Sequence, residues 1–442
     1  MSFPQYAQYK DSGVEWLGEV PGHWEVKRLG FYFEERREKV SDLEYAPLSV
    51  TKNGILPQLE AAAKTDDGDN RKKVCAGDFA INSRSDRKGS SGLSSLKGSV
   101  SLINTVLRLR DKINGRFVHH LLRSELFQEE FYRYGKGIVA DLWSTNYSEM
   151  RNIVLAVPSL SEQIDIAGVL DRETGKIDTL VAEQENLIKL LKEKRQAVIS
   201  HAVTKGLDAA VPMETCGVEW LGKVPANWKT IPIKYLVNLQ SGGTPSKAVE
   251  AYWNGTLPWA SAKDMKVELL FDTEDHITEK AIEDGSIDLL GEGAILVVVR
   301  GMILARKFPV AIAKNPMAIN QDLKAVITGE NLISTFLAWY LRGTADESLR
   351  RLDEAGHGTK ALRMEAWTSL EIAVPPLTEQ SDIVIFLDKE TAKLDALVTE
   401  AQRVIDLLKE RRSALISAAV TGKIDVREFV KQAQPSAELV PA

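Results

Sequence analysis

Apolar residues recur in heptad steps along two stretches of the chain, Leu160 to Asp208 and Leu377 to Asp425. In the first, Leu170, Ile177, Gln184, Leu191 and Val198 share one phase, and in the second Leu387, Leu394, Ala401, Leu408 and Leu415 share the same one. Leu180 with Leu187, and Leu397 with Val404, supply d-type positions three residues further on. Val181, Ile188, Val398 and Ile405 widen the stripe, while charges such as Lys189, Glu193 and Lys194 crowd much of the rest. Neither stretch has an internal proline. The pattern predicts two long helices that pair through a heptad seam. Roughly 44 residues at ~1.5 Å each make a rod of about 65 Å. The two stretches are also copies, LSEQIDIAGVLDRETGKIDTLV against LTEQSDIVIFLDKETAKLDALV, and two matched stripes are natural partners.

A second duplication precedes each helix. Gly13 to Pro21 reads GVEWLGEVP and Gly217 to Pro225 reads GVEWLGKVP, with Trp24 and Trp228 following at the same distance. The period is far too long for a solenoid. Between entry segment and helix lie two variable regions with recurring landmarks. Pro47 and Lys52 answer to Pro258 and Lys263, Gly77–Arg84 to Gly293–Arg300, and Ile103-Asn104 to Ile319-Asn320. Phe117–Arg123 answers to Phe336–Arg342, an amphipathic helix in both, and Gly135-Lys136-Gly137 to Gly356-His357-Gly358. Short apolar runs (Val100–Leu109, Ala294–Val299, Val310–Ala313) bounded by Gly, Pro and Asn read as strands. The expected architecture is therefore mixed α/β, with a pseudo-two-fold internal repeat. Residues 1–157 form an entry segment and first domain, 158–209 a helix, 210–374 a second entry segment and domain, 375–426 a second helix, and 427–442 a frayed tail.

Composition changes this picture little. Of 442 residues, 44% are apolar and 27% charged, as in an ordinary soluble protein. The start, MSFPQYAQYK, lacks the apolar core of a signal peptide, and no run approaches a membrane span. Two cysteines, Cys75 and Cys216, make no disulfide framework, and a cytoplasmic, reducing compartment is the expectation. A net charge of −6 argues against a protein basic all over, but a basic face on one domain can coexist with an acidic scaffold.

No catalytic constellation emerges. Gly168 to Lys176 superficially suggests a phosphate loop, yet six residues separate its glycines where four are needed, and Ile177 replaces the hydroxyl residue that would hold magnesium. Gly291-Glu292-Gly293 is a lone Gly-x-Gly, and no Asp/Asn-Pro-Pro-aromatic tetrapeptide of an amino-methyltransferase is present. Six scattered histidines and two isolated cysteines predict no metal site, His119 and His120 being placed on a helix.

Basic residues gather instead in the loops of the variable regions. Lys52, Arg84, Arg87, Lys88 and Lys136 mark the first, the last four close to the GSSG that starts at Gly89 or to Gly135 and Gly137. Thr244, Lys247, Lys263, Arg300, Arg306 and Lys360 mark the second, Thr244 and Lys247 within SGGTPSK. Glycine- and serine-rich turns beside Arg and Lys suit phosphate contact, because backbone N–H groups and cations converge there. As a set on two repeated domains they point to DNA contact. The rival reading is a coiled-coil scaffold whose end domains bind other proteins.

At this point the chain resembles the specificity (S) subunits of type I restriction-modification enzymes. The entry GVEWLGEVP with Trp24, SGGTPS at Ser241–Ser246, YWNGTLPWASAKDM at Tyr252–Met265, NQDLKAVI at Asn320–Ile327, and the VPSLSEQ and VPPLTEQ helix openings carry the likeness. The resemblance implies two target-recognition domains, each reading half of a split site on double-stranded DNA, joined by spacer helices packed antiparallel. The seam alone does not choose between parallel and antiparallel. The resemblance also implies partners: a modification subunit binding S-adenosylmethionine, and a restriction subunit using ATP and Mg2+. No cofactor is expected in this chain.

Duplication adds one expectation. Positions shared by both domains (Lys52/Lys263, Arg84/Arg300) should do one job in both. If the half-sites differ, that job is phosphate contact or fold. Base readout then falls where the domains disagree, around Ser85–Ser91 and Met302–Lys307.

Overall fold

The computed structural model describes residues 4–59, 68–137, 143–354, 359–427 and 429. The chain divides into two compact units, residues 1–185 with 403–442, and residues 186–402. Each unit therefore takes part of both long helices, Leu160–Lys205 and Leu377–Val420. Of the paired glycine landmarks, Gly356-His357-Gly358 lies outside the described residues, as does the chain beyond 429.

The first unit is built on a four-stranded antiparallel sheet, ordered Ser91–Leu93, Phe79–Asn82, Asn104–Leu109, Phe33–Glu35. A three-stranded sheet of Gly98–Val100, Arg71–Val74 and Lys39–Val40 accompanies it. The run expected as one strand from Val100 to Leu109 is thus two strands in different sheets. Asn104 explains the break: its backbone N–H and its side-chain amide both bond Ser101 and turn the chain. The helix Gly115–Leu121 is capped by the Asn114 side chain, which accepts from the N–H groups of Arg116 and Phe117.

The second unit holds a five-stranded sheet ordered Val237–Ser241, Leu323–Thr328, Ile295–Val298, Val310–Ala313, Leu269–Leu270. Two of its interior strands, Ile295–Val298 and Val310–Ala313, are continuously apolar and buried. The matching helix, Ser334–Gly343, packs there with Phe336, Leu337 and Tyr340 fully buried.

The repeated motifs acquire structural reasons inside each unit. Gln163 is wholly buried: its Oε1 accepts from Asn114 N at 2.7 Å, and its Nε2 donates to the carbonyls of Pro158 (2.9 Å) and Lys112 (3.2 Å). Gln380 repeats the arrangement with Ile333 N (2.8 Å), Pro375 O (2.9 Å) and Asn331 O (3.1 Å). The glutamine of SEQ and TEQ thus ties the start of each long helix to a neighbouring loop. The entry segment packs on the far end of a long helix. In the first unit Leu17, Val20 and Trp24 lie with Ala419 and Val420, and in the second Leu221, Val224 and Trp228 lie with Ala202 and Val203. Lys423 Nζ reaches the carbonyls of Leu17 and Glu19, as Lys205 Nζ reaches those of Leu221 and Lys223.

The two helices run antiparallel where they meet. Within the first unit Arg412 pairs with Asp178 at 2.8 Å, and within the second Arg195 pairs with Asp395 at 3.0 Å. The structure corrects the phase of the seam. Leu180, Leu187 and Leu397, expected as d positions, are 44%, 41% and 54% exposed. The shielded line instead steps by four and then three, through Leu170, Thr174, Ile177 and Val181, and through Leu387, Thr391, Leu394 and Val398. Three residues beyond Leu170 and Leu387 stand Glu173 and Glu390, which favour solvent. Four residues beyond stand Thr174 and Thr391, whose hydroxyls bond back to the Leu170 and Leu387 carbonyls and so can be buried. Ile188 and Ile405 continue this line, with Ile405 2% exposed. Leu191, Val198, Leu408, Leu415 and Val404 are half-buried.

Candidate nucleic-acid interface

The buried strands Phe79–Asn82 and Ile295–Val298 each deliver an arginine to the surface. Arg84 bridges to Ser144, which also bridges to Lys136. In the second unit Arg300–Gly301 pairs with Lys360–Leu362, and that strand with Leu352–Glu354. Each unit thus brings two of the cations expected at DNA onto one small ladder, Arg84 with Lys136 and Arg300 with Lys360. A 3-10 turn follows each arginine closely, Ser85–Arg87 and Met302–Ala305, where base readout was expected. Met302 is 72% exposed, and Arg84, Arg87 and Arg306 are exposed too.

The candidate cations fall into two electrostatic classes. Lys136 lies 3.2 Å from Glu149, Lys360 2.6 Å from Glu354, Arg300 2.7 Å from Asp322, and Arg87 3.5 Å from Asp86. Lys88 contacts Glu129, and Lys263 meets both Asp275 (2.8 Å) and Glu274 (3.1 Å), which together raise its pKa. Lys52, Arg84, Lys247 and Arg306 make no ion pair among the described residues. Exposed pairs are worth only ~0–1 kcal/mol, so a phosphate can displace a carboxylate, but the second class meets it with no such competition.

SGGTPS is pinned tightly. A side chain on Gly242 would collide with the Ile319 and Asn320 carbonyls, 2.1 and 2.3 Å from its Cβ position, so only glycine permits this approach. Gly243 N donates to Ile319 O at 2.9 Å, and Thr244 Oγ1 donates to Gln321 Oε1 at 2.5 Å. Trp259 Nε1 donates to Gly243 O at 3.0 Å, and the Trp253 ring stands edge-on to Trp259 at 5.2 Å. Lys247, both tryptophans and the carboxylates Glu250 and Asp275 line a cavity of about 480 Å³.

Sequence reasoning missed a second feature, the meeting of Arg123 with Arg412 and of Arg342 with Arg195. The paired segments Phe117–Arg123 and Phe336–Arg342 carried half of the signal, and the long-helix repeat carried the other half. His119 and His120 do sit on the helix Gly115–Leu121. His120 Nε2 lies 2.6 Å from Asp171, and burial together with Arg123 pushes His119 down to about 4. Among the described residues, no group of three or more His, Cys, Asp or Glu could hold a metal ion, and no helix is long and apolar enough to cross a membrane.

Residues 225–405 match the family model described as the type I restriction modification DNA specificity domain. The specificity subunit of the Escherichia coli type I restriction enzyme EcoR124I/EcoR124II is 31% identical over 277 residues, 61% of this chain and 62% of that subunit. The HsdS subunit from Thermoanaerobacter tengcongensis superposes over 92% of this chain and 98% of that one, with a TM-score of 0.53 and 17% identity. A chain from a structural study of complex assembly and conformational transition in a type I R-M system gives a TM-score of 0.70 at 16% identity, over 91% and 98%. At these identities the two structures show a shared fold. The resemblance read from the motifs is found again in these comparisons.

Proposed function

We propose that the chain is the DNA-recognition subunit of a type I restriction-modification complex. Each unit reads one half of a bipartite site on double-stranded DNA, and the two helices set the number of base pairs between the halves. The match of residues 225–405 to a DNA specificity domain carries this reading. The paired ladders of Arg84 with Lys136 and Arg300 with Lys360 support it, because equal placement in two units of different sequence suits contact with a repeating backbone. Methyl transfer and cleavage then belong to partners, a modification subunit with S-adenosylmethionine and a restriction subunit with ATP and Mg2+. The apolar residues left in solvent on the helices support docking of such partners. They include Leu180 and Leu407 in the first unit, and Leu187, Leu190 and Leu397 in the second.

The test is to express the chain with its modification subunit and map methylated adenines genome-wide. A two-part motif with a fixed gap is the expected result. Undivided motifs, or no methylation that depends on this chain, would overturn the reading.

A further inference from the structure

The internal repeat supplies its own control for a cavity in the first unit. In the second unit Arg342 and Arg195 converge on one carboxylate: Arg195 Nη2 lies 2.7 Å and Arg342 Nη1 3.5 Å from Glu268. Arg342 Nη2 also donates to the Glu268 carbonyl at 2.7 Å. The Trp339 ring faces both guanidinium groups, at 5.7 and 5.0 Å. Charge here is balanced within the unit.

Arg123 and Arg412 are the repeat counterparts of Arg342 and Arg195. Arg123 donates through Nη2 to the carbonyl of Lys52, so Lys52 stands where Glu268 stands. His120 takes the place of Trp339 and meets Asp171 as Trp339 meets Asp388. The bridging carboxylate has therefore become a cation, and the aromatic face has become an imidazole. A cavity of about 350 Å³ opens at this point, lined by Lys52, Lys88, His119, His120, Arg123 and Arg412.

Asp178 holds Arg412, and Glu129 holds Lys88. Lys52 and Arg123 meet no carboxylate among the described residues. Burial and the nearby Arg412 lower the pKa of Arg123, and burial, Arg123 and His120 lower that of His119. With Asp171 at His120, Asp178 at Arg412 and Glu129 at Lys88, the cavity keeps two cations, Lys52 and Arg123, without a carboxylate partner among the described residues.

We propose that this cavity binds a phosphate-class oxyanion, held between Arg123 and Arg412 in the place that Glu268 fills in the second unit. Lys52 and Arg123 supply the two cations without a carboxylate, Arg412 and Lys88 add donors shared with Asp178 and Glu129, and a tetrahedral dianion can accept from all four. Two uncompensated cations match its charge. The anion is free phosphate or a phosphate of the DNA backbone. The site itself does not depend on the DNA-recognition reading, because its first test contains no DNA.

The experiment is calorimetric titration of the full chain with inorganic phosphate in a phosphate-free chloride buffer. Saturation at one site is expected. Lys52→Glu, which rebuilds the second unit's arrangement, should weaken binding about tenfold or more by supplying an internal carboxylate. Glu268→Lys should create a second site. Independently, phosphate should raise the His119 pKa, read from its imidazole NMR signals, because a dianion favours the imidazolium. A short DNA duplex that displaces phosphate assigns the site to the DNA backbone, and simultaneous binding assigns it to free phosphate. Absence of saturable phosphate binding, or binding unchanged in Lys52→Glu, overturns the proposal.

Discussion

Arg412 donates to both carboxylate oxygens of Asp178, at 2.8 and 3.3 Å, across the helix pair of the first unit. Arg195 and Asp395 are the same repeat positions in exchanged roles, paired in the second unit. An arginine of each copy thus meets the aspartate of the other, which only antiparallel helices allow. Both aspartates are 56% exposed, so each pair contributes little on its own. A double-mutant cycle with Asp178→Ala and Arg412→Ala should give a coupling of ~0.3–1 kcal/mol in chemical unfolding. Strict additivity of the two substitutions would contradict the pairing.

Gln163 leaves no room for a conservative exchange. Gln163→Leu keeps the volume but strands the Asn114 N–H and the Pro158 and Lys112 carbonyls. Each orphaned group costs ~1–3 kcal/mol, with partial relief by water, so a loss of about 2–4 kcal/mol is expected. Gln380→Leu should match it. Unfolding midpoints followed by circular dichroism test both, and a loss below about 1 kcal/mol would show that these bonds are dispensable.

Much of this fold was legible because repetition doubles every weak signal. The entry motif, the helix pair and the mixed α/β character all follow from aligned copies. The seam phase was harder to read, since Leu180 and Val181 compete for one place and leucine is the more apolar. The deciding information lay in Glu173 and Thr174 and in their counterparts Glu390 and Thr391, two turns earlier. The exchange of Glu268 for Lys52 was hidden for a different reason. The two residues lie in loops without common spacing, and only the shared carbonyl contact to Arg342 and Arg123 aligns them.

Stability should depend on pH through His119. Its pKa falls from 6.5 to about 4 on folding, so the unfolded chain binds the proton first as pH drops. The unfolded state holds more protons between those values, and stability is therefore full above pH 6.5 and declines toward pH 4. The loss is on the order of 2 kcal/mol by the lower limit. His119→Asn should lose less stability than the native chain between pH 7 and pH 5. Parallel losses in the two proteins would show that other groups drive the decline.

The two classes of candidate cation should differ in how they respond to salt. With the assembled complex on its site, each phosphate contact contributes about 0.9 to the slope of log affinity against log salt. Arg84→Gln or Lys247→Gln should therefore reduce the slope by about one. Lys263→Gln should reduce it less, because Asp275 and Glu274 already compete for that amine. Equal reductions for all three would show that the carboxylates move away on binding.

The last prediction concerns spacing. Ile188–Lys194 and Ile405–Arg411 are equivalent heptads of the two helices, and each carries one residue of the four-step line with Leu191 or Leu408. Duplicating both heptads keeps the corrected phase, since seven residues return each side chain to its own face. Each helix lengthens by ~10 Å. At ~3.4 Å per base pair the gap between half-sites should widen by at most about three base pairs, less if the DNA bends or the helices tilt against it. The half-site sequences should stay the same, because nothing in either ladder is altered. Duplicating one heptad alone should behave differently. An unmatched layer leaves isoleucine and leucine without partners across the seam, so the protein should unfold at lower temperature and methylate poorly. Methylation mapping of the doubly lengthened variant supplies the measurement. An active enzyme with an unchanged gap would show that something other than the helices sets the distance.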